Sequence, residues 1–201
     1  IARLPRNKVG YPIPWFVAEQ PDGTRDFRVA DGRKQILATR ERLCWVCGQA
    51  IGAHRAYVIG PMCAVNRVSA EPPSHRDCAV FSARACPFLT TPRMRRREAR
   101  IPEGVASPAG MMISRNPGVT LVWVSKLLRP WAPPGGGLLF DVGDPVETLW
   151  FCEGRQATRG EVLASIESGL PILRREAEAE GAAAVRELVR MTDVAMRLVP
   201  A

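Results

Sequence analysis

Lysine, histidine and long apolar runs are scarce in this 201-residue chain. No stretch reaches the roughly 18 consecutive apolar residues of a membrane-spanning helix, so no span is expected. Ile1 to Tyr11 contain no apolar signal-peptide core, which leads to the expectation of a cytoplasmic protein. Ile1 stands where a methionine would begin a chain, so a truncated or processed start is expected. No segment repeats at a fixed period, which excludes solenoids and propellers. Catalytic signatures are missing as well. A zinc protease needs His-Glu-x-x-His, and a zinc deaminase needs His-x-Glu ahead of Pro-Cys-x-x-Cys; neither occurs. There is no phosphate-binding glycine loop, Gly-x-Ser-x-Gly elbow or dinucleotide fingerprint. Gly135, Gly136 and Gly137 precede neither a lysine nor a helix start and read as a flexible loop. The sequence leans away from an enzyme.

Because lysine occurs only at Lys8, Lys34 and Lys126, the positive charge of this chain is almost all arginine. The net charge is +8, unevenly placed: residues 1–43 carry 9 basic and 5 acidic side chains, and residues 44–100 carry 9 and 3. Residues 101–201 carry 10 basic and 12 acidic. That asymmetry points to an anionic partner for the first half, either DNA, RNA or a nucleoprotein complex. The arginine bias, with abundant Ala, Gly and Pro, equally matches a GC-rich genome.

The 18 prolines and 17 glycines predict short elements and many turns. Residues 1–43 read as a hairpin and helix packing on the rest. Trp15 to Ala18 and Phe27 to Val29 are its strands around the Pro21-Asp22-Gly23 turn, and Asp31 caps a helix over about 33–42. Within 44–89, Ala56 to Ile59 predict a strand, Gly60-Pro61 a turn, and Cys63 to Val65 with Val68 the antiparallel partner. Ser74 with Asp77 resembles a capping box opening a helix over about 75–85, which Pro87 stops. Residues 90–118 form a basic, Pro/Gly-rich linker. Residues 119–152 predict a small antiparallel sheet from Val119 to Val124, Leu138 to Phe140 and Val146 to Cys152. Thr158 with Glu161 opens a helix over 158–168, broken at Gly169 and Pro171, and a last helix covers about 182–198.

Six cysteines at uneven spacing in a reducing compartment argue for metal before disulfides. Cys44-x-x-Cys47 is followed by Gly48, which supplies the positive φ of a tight chelating turn. His75-x-x-Cys78 falls on the first turn of the predicted helix, where side chains three apart point to one side. Two such pairs supply the four donors of a tetrahedral structural zinc site, and the positive end of the helix dipole favours thiolates there. Histidine among the donors prefers zinc to an iron–sulfur cluster. Cys63 and Cys86 are alternatives to His75 as fourth ligand. Cys152 reads as a packed core thiol, and His54 as a surface histidine.

The order of knuckle, hairpin, then helix over residues 44–86 resembles the treble-clef zinc-finger superfamily. That resemblance places the ligands on Cys44, Cys47, His75 and Cys78. The run from Glu71-Pro72-Pro73-Ser74-His75 to Cys86-Pro87-Phe88-Leu89 looks like that of bacterial and phage proteins, a resemblance that implies no activity. The expected class is α+β: a treble-clef-like zinc module, a small antiparallel sheet and C-terminal helices.

Arg93, Arg95, Arg96, Arg97 and Arg100 are offset only by Glu98, and Arg76 and Arg84 lie on the preceding helix. Arginines that neutralise phosphates release counterions, so this segment is the expected nucleic-acid contact. The leading expectation is a small structural-zinc protein binding nucleic acid or a nucleoprotein partner. A protein–protein adaptor with purely structural zinc is the alternative. A zinc nuclease of the HNH kind, which would use His54 or His75, is the third. Trp123 and Trp150 read as core residues and Trp131 as exposed.

Overall fold

A computed structural model describes residues 1–91, 94–95, 109–110 and 115–201. It opens with a ribbon of β1 (Val17–Glu19) and β2 (Arg25–Ala30) around the expected turn, where the Asp22 carboxylate accepts from the Thr24 N–H and hydroxyl. Helix α1 (Gly32–Glu41) follows, capped by the Asp31 side chain on the Arg33 N–H. It ends at Arg42, whose left-handed φ of 53° turns the chain toward Cys44.

The elements β3 (Arg55–Ile59), α2 (Pro61–Asn66) and β4 (Val68–Ser69) come next. The hairpin expected between the two metal-ligand pairs is not formed. Pro61 occupies the first turn of α2, where its missing N–H costs nothing and its fixed φ favours helix, so Cys63 to Val65 are helical. Strand β3 instead pairs antiparallel with β5 (Thr120–Ser125), from Arg55 opposite Ser125 to Ile59 opposite Leu121. The cysteine block therefore shares a sheet with the C-terminal half of the chain.

Helices α3 (Arg76–Ala85) and α4 (Pro87–Thr90) follow β4. Ser74 does not cap α3, contrary to the sequence reading. Its backbone is taken by Ala56, with which it exchanges N–H···O bonds of 2.8 and 2.9 Å, and the cap residue is His75, whose side chain makes no capping bond. The remaining strands are β6 (Arg129–Trp131), β7 (Leu139–Asp141), β8 (Pro145–Cys152) and β9 (Arg155–Gln156). They are antiparallel as expected but belong to two sheets, ordered β3-β5-β8-β9 and β4-β7-β6, rather than one. With β3 and β8 on its two edges, β5 has no edge left for β6 and β7.

The chain closes with α5 (Arg159–Glu180) and α6 (Ala182–Met196). The capping box of Thr158 and Glu161 is present, but Gly169 and Pro171 do not end the helix. Val162, Ile166, Leu173 and Ala177 carry one buried face across the proline, and that burial outweighs the lost backbone bond. The Arg115 guanidinium donates to the Ser168 carbonyl at 3.1 Å, close to the carbonyl that Pro171 leaves without its usual donor.

Strand β5 is buried at every residue because both faces of its sheet are covered. Leu121 and Trp123 point with Tyr57 and Ile59 toward α2, α5 and α6, forming the main core. Val122 and Val124 alternate to the other face and meet Ala79 and Ala83 of α3. Trp123 and Trp150 lie in the core, and Cys152 packs at its edge, as expected, whereas Trp131 is exposed. Among the described residues, no helix is long and apolar enough to cross a membrane.

Candidate metal centre

Cys44 to Gly48 form a tight knuckle whose stem is the antiparallel bridge between Leu43 and Ala50. The Gly48 N–H donates to the Cys44 carbonyl at 2.8 Å, and Gly48 takes a φ of +71°. That conformation suits glycine and lets the chain reverse between the two thiols. The second pair is delivered by the sheet: the Ser74–Ala56 bridge fixes the residue ahead of His75, and α3 packs on β3 and β5. The Trp45 N–H donates to the Pro73 carbonyl at 3.1 Å and ties the knuckle to the helix start.

Together these elements bring one donor atom each from Cys44, Cys47, His75 and Cys78 within 4.8 Å of one another. The Cys47 and Cys78 sulfurs lie 3.4 and 3.9 Å from His75 Nδ1. A tetrahedral ion with metal–sulfur bonds of about 2.3 Å and a metal–nitrogen bond of about 2.0 Å has edges of about 3.5–3.8 Å. The two sulfur–nitrogen edges are therefore already close to those of one such ion. His75 Nε2 donates to the Ala50 carbonyl at 2.9 Å. A carbonyl only accepts, so the proton sits on Nε2 and the Nδ1 lone pair faces the sulfurs.

The sulfurs differ in their surroundings. Cys44 and Cys78 are buried and Cys47 is half-buried. The Cys44 thiol is pulled down to about 4, first by its hydrogen bond with Cys78 and then, against burial, by the N–H groups of Cys47, His75 and Val46. Cys78 is pushed up by that same hydrogen bond, by burial and by the charges of Cys44 and Cys47. Burial raises Cys47. Crowded thiols that cannot all ionise together are what a dication would relieve, since it stabilises every thiolate at once.

Cys63 and Cys86 stand outside this cluster; Cys63 lies on α2 and Cys86 between α3 and α4. His54 is exposed and shares a shallow concavity of about 640 Å³ with His75, Arg76, Asp77 and Glu147. It is not a ligand of the cluster. Of the arginines expected at a nucleic-acid contact, Arg76 is held by Glu147 through two bonds of 2.7 Å. Arg84 and Arg95 are exposed, and Arg95 bridges Arg115. Arg93, Arg96, Arg97 and Arg100 lie outside the described residues.

The first 18 residues, read from sequence only as packing on the rest, cover the centre. Ile1 and Leu4 pack on Cys44, Val46 and Cys78. The Trp15 N–H donates to the Val46 carbonyl at 2.8 Å, and the Phe16 ring stacks on Trp45 with centroids 4.9 Å apart. The adjacent Trp15-Phe16 pair was the available signal; the Ala50 carbonyl has no side chain and left none. Comparison with protein-family models, curated proteins and solved structures finds no match for this chain.

Proposed function

We propose that the chain is a small protein built on one structural zinc ion, which presents an arginine-rich segment to nucleic acid or to a nucleoprotein partner. The observation that carries the zinc reading is the closed donor set. Four protein ligands leave no open position for substrate or water, so the ion's work is to hold the knuckle against α3. Three sulfurs and one imidazole are a donor set that suits zinc. The knuckle followed by a ligand-bearing helix supports a treble-clef-like reading of the module, with β3, α2 and β4 standing between them.

The partner reading rests on charge. Arg93, Arg95, Arg96, Arg97 and Arg100 follow directly on the zinc-bearing segment, and Arg84 adds an exposed cation to α3. The adaptor reading has its own support, because the Glu147 pair engages the Arg76 charge that a phosphate would need. Metal analysis giving one zinc per chain, with salt-sensitive retention on DNA lost in Arg95→Ala/Arg96→Ala/Arg97→Ala, is the outcome expected of the first reading. Zinc retained without any DNA retention selects the adaptor.

A further inference from the structure

A second cationic element sits on the metal centre, separate from the arginine run. Residues 5–13 form a narrow turned finger: Arg6 and Pro12 bridge antiparallel, and the Ile13 N–H donates to the Pro5 carbonyl at 2.7 Å. Its tip is held from within. The Asn7 N–H donates to the Tyr11 carbonyl at 2.9 Å, and the Asn7 side-chain oxygen accepts from the N–H groups of Val9 and Tyr11 at 3.1 and 2.9 Å. Arg6 Nη1 donates to the Gly10 carbonyl at 2.6 Å. Side chains that leave the finger nonetheless face solvent: Val9 is 78% and Tyr11 45% exposed, and Arg6 and Lys8 are exposed beside them.

Both ends of the finger are fixed to the metal knuckle. Leu4 packs on the cluster of Cys44, Val46 and Cys78, and Trp15 donates to Val46. The charge is one-sided. Arg3, Arg6 and Lys8 occur before the first acidic residue, Glu19, and no acid lies between Glu41 and Glu71, the stretch that holds the knuckle. Exposed Arg42 stands at the base of that knuckle.

We propose that this finger is a nucleic-acid contact, with Arg3 and Lys8 on backbone phosphates and the Val9–Tyr11 tip against the groove or base edges. Charge complementarity selects a polyanion, and the tip selects among polyanions. Solvent-exposed valine and tyrosine beside Arg6 and Lys8 gain nothing from a purely acidic peptide, but meet sugar and base surface when those cations hold the adjacent phosphates. The inference rests on the nucleic-acid reading above and uses different residues, so the two can fail separately.

The test is fluorescence anisotropy of a labelled DNA duplex with the full chain, from low to moderate salt. Arg3→Gln/Lys8→Gln removes two charges that make no hydrogen bond among the described residues, and Val9→Asp places a carboxylate at the tip, on a side chain that is 78% exposed. Each phosphate contact contributes about 0.9 to the slope of log affinity against log salt, so the double variant is expected to flatten it by about two. Affinity at low salt is expected to fall roughly tenfold or more in both variants, with metal content and circular dichroism unchanged. Wild-type slopes in both, with loss only in Arg95→Ala/Arg96→Ala/Arg97→Ala, overturn the finger and leave the arginine run standing. Loss only in the finger variants does the reverse. A wild-type chain that ignores DNA, whether or not it captures polyglutamate, overturns both.

Discussion

The Trp15 ring lies directly over Gly48, so that a Cβ on Gly48 would stand 2.7 Å from its Cγ. The knuckle is thus closed from outside by an aromatic lid, while Lys34 sits 5.7 Å from the same ring on its way to the Trp15 and Val17 carbonyls. Gly48→Ala meets two penalties. A left-handed φ of +71° costs an L-residue about 1–2 kcal/mol, and the ring has to move off the knuckle. The expected outcome is a loss of about 2–4 kcal/mol in urea denaturation and faster zinc transfer to a chromophoric chelator. A variant that melts and holds metal like wild type excludes the lid.

Removing the metal is expected to act locally. Isolated zinc-finger peptides unfold without their ion, which contributes roughly 10 kcal/mol or more there. In this chain the layers around Trp123 and Phe140 form a core of their own, apart from the cluster of Cys44, Val46 and Cys78. Chelation, or Cys78→Ser, is therefore expected to release the knuckle and the segment from Ile1 to Trp15, at a cost of roughly 3–5 kcal/mol. Helices α5 and α6 should stay protected in hydrogen exchange. Cys63→Ser and Cys86→Ser are the controls and keep one metal per chain. Equal metal loss in either control contradicts the assignment of His75 as fourth ligand.

The parts legible in the sequence were those encoded locally. Cys44-x-x-Cys47-Gly48 and His75-x-x-Cys78 carry their spacing in a few residues, and Asp31 and Thr158 announce helices through their own side-chain oxygens. Long-range pairing was not legible. Nothing in Ala56 to Ile59 indicates that its partner is Val122 and its neighbours rather than Val65 nearby, because a short apolar run fits either. Ser74 shows how one such pairing undoes a local signal: the Ala56 bridge fixes its backbone, and the capping role read from Asp77 never forms. At Pro171 the balance is reversed, since packing carries a helix through a residue that ends most helices.

Glu161 gives a pH-dependent prediction with a definite sign. The Arg155 guanidinium holds its carboxyl well below the usual 4.5, helped by the Thr158 N–H at 2.8 Å. A depressed folded-state value means the stabilisation is complete above 4.5 and is lost as the pH falls through the depressed value. Glu161→Gln keeps an acceptor for the Thr158 N–H but abolishes the charge. The pair is largely solvated, so the difference at neutral pH should be below about 1 kcal/mol. Wild type and variant should converge only in strongly acid solution. A gap that widens on acidification, measured by urea midpoints across pH, contradicts the pairing.

Gly169 and Met62 test why α5 continues past its breakers. Alanine is ordinarily better than glycine inside a helix by about 1 kcal/mol. Here a Cβ would stand 2.7 Å from Met62 Sδ and 2.8 Å from its Cγ, and Met62, itself on α2, is buried against α5. The overlap should outweigh the propensity, leaving Gly169→Ala less stable by about 1–2 kcal/mol. Met62→Ala alone should cost about 2–3 kcal/mol, because it opens a cavity in the main core. With the thioether gone, the added methyl occupies part of that cavity, and Gly169→Ala should become neutral or stabilising. The coupling read from the double-mutant cycle is then about 1 kcal/mol or more. Strict additivity would mean that Gly169 is not the seat for Met62, and that the burial of Leu173 and Ala177 alone carries the helix across Pro171.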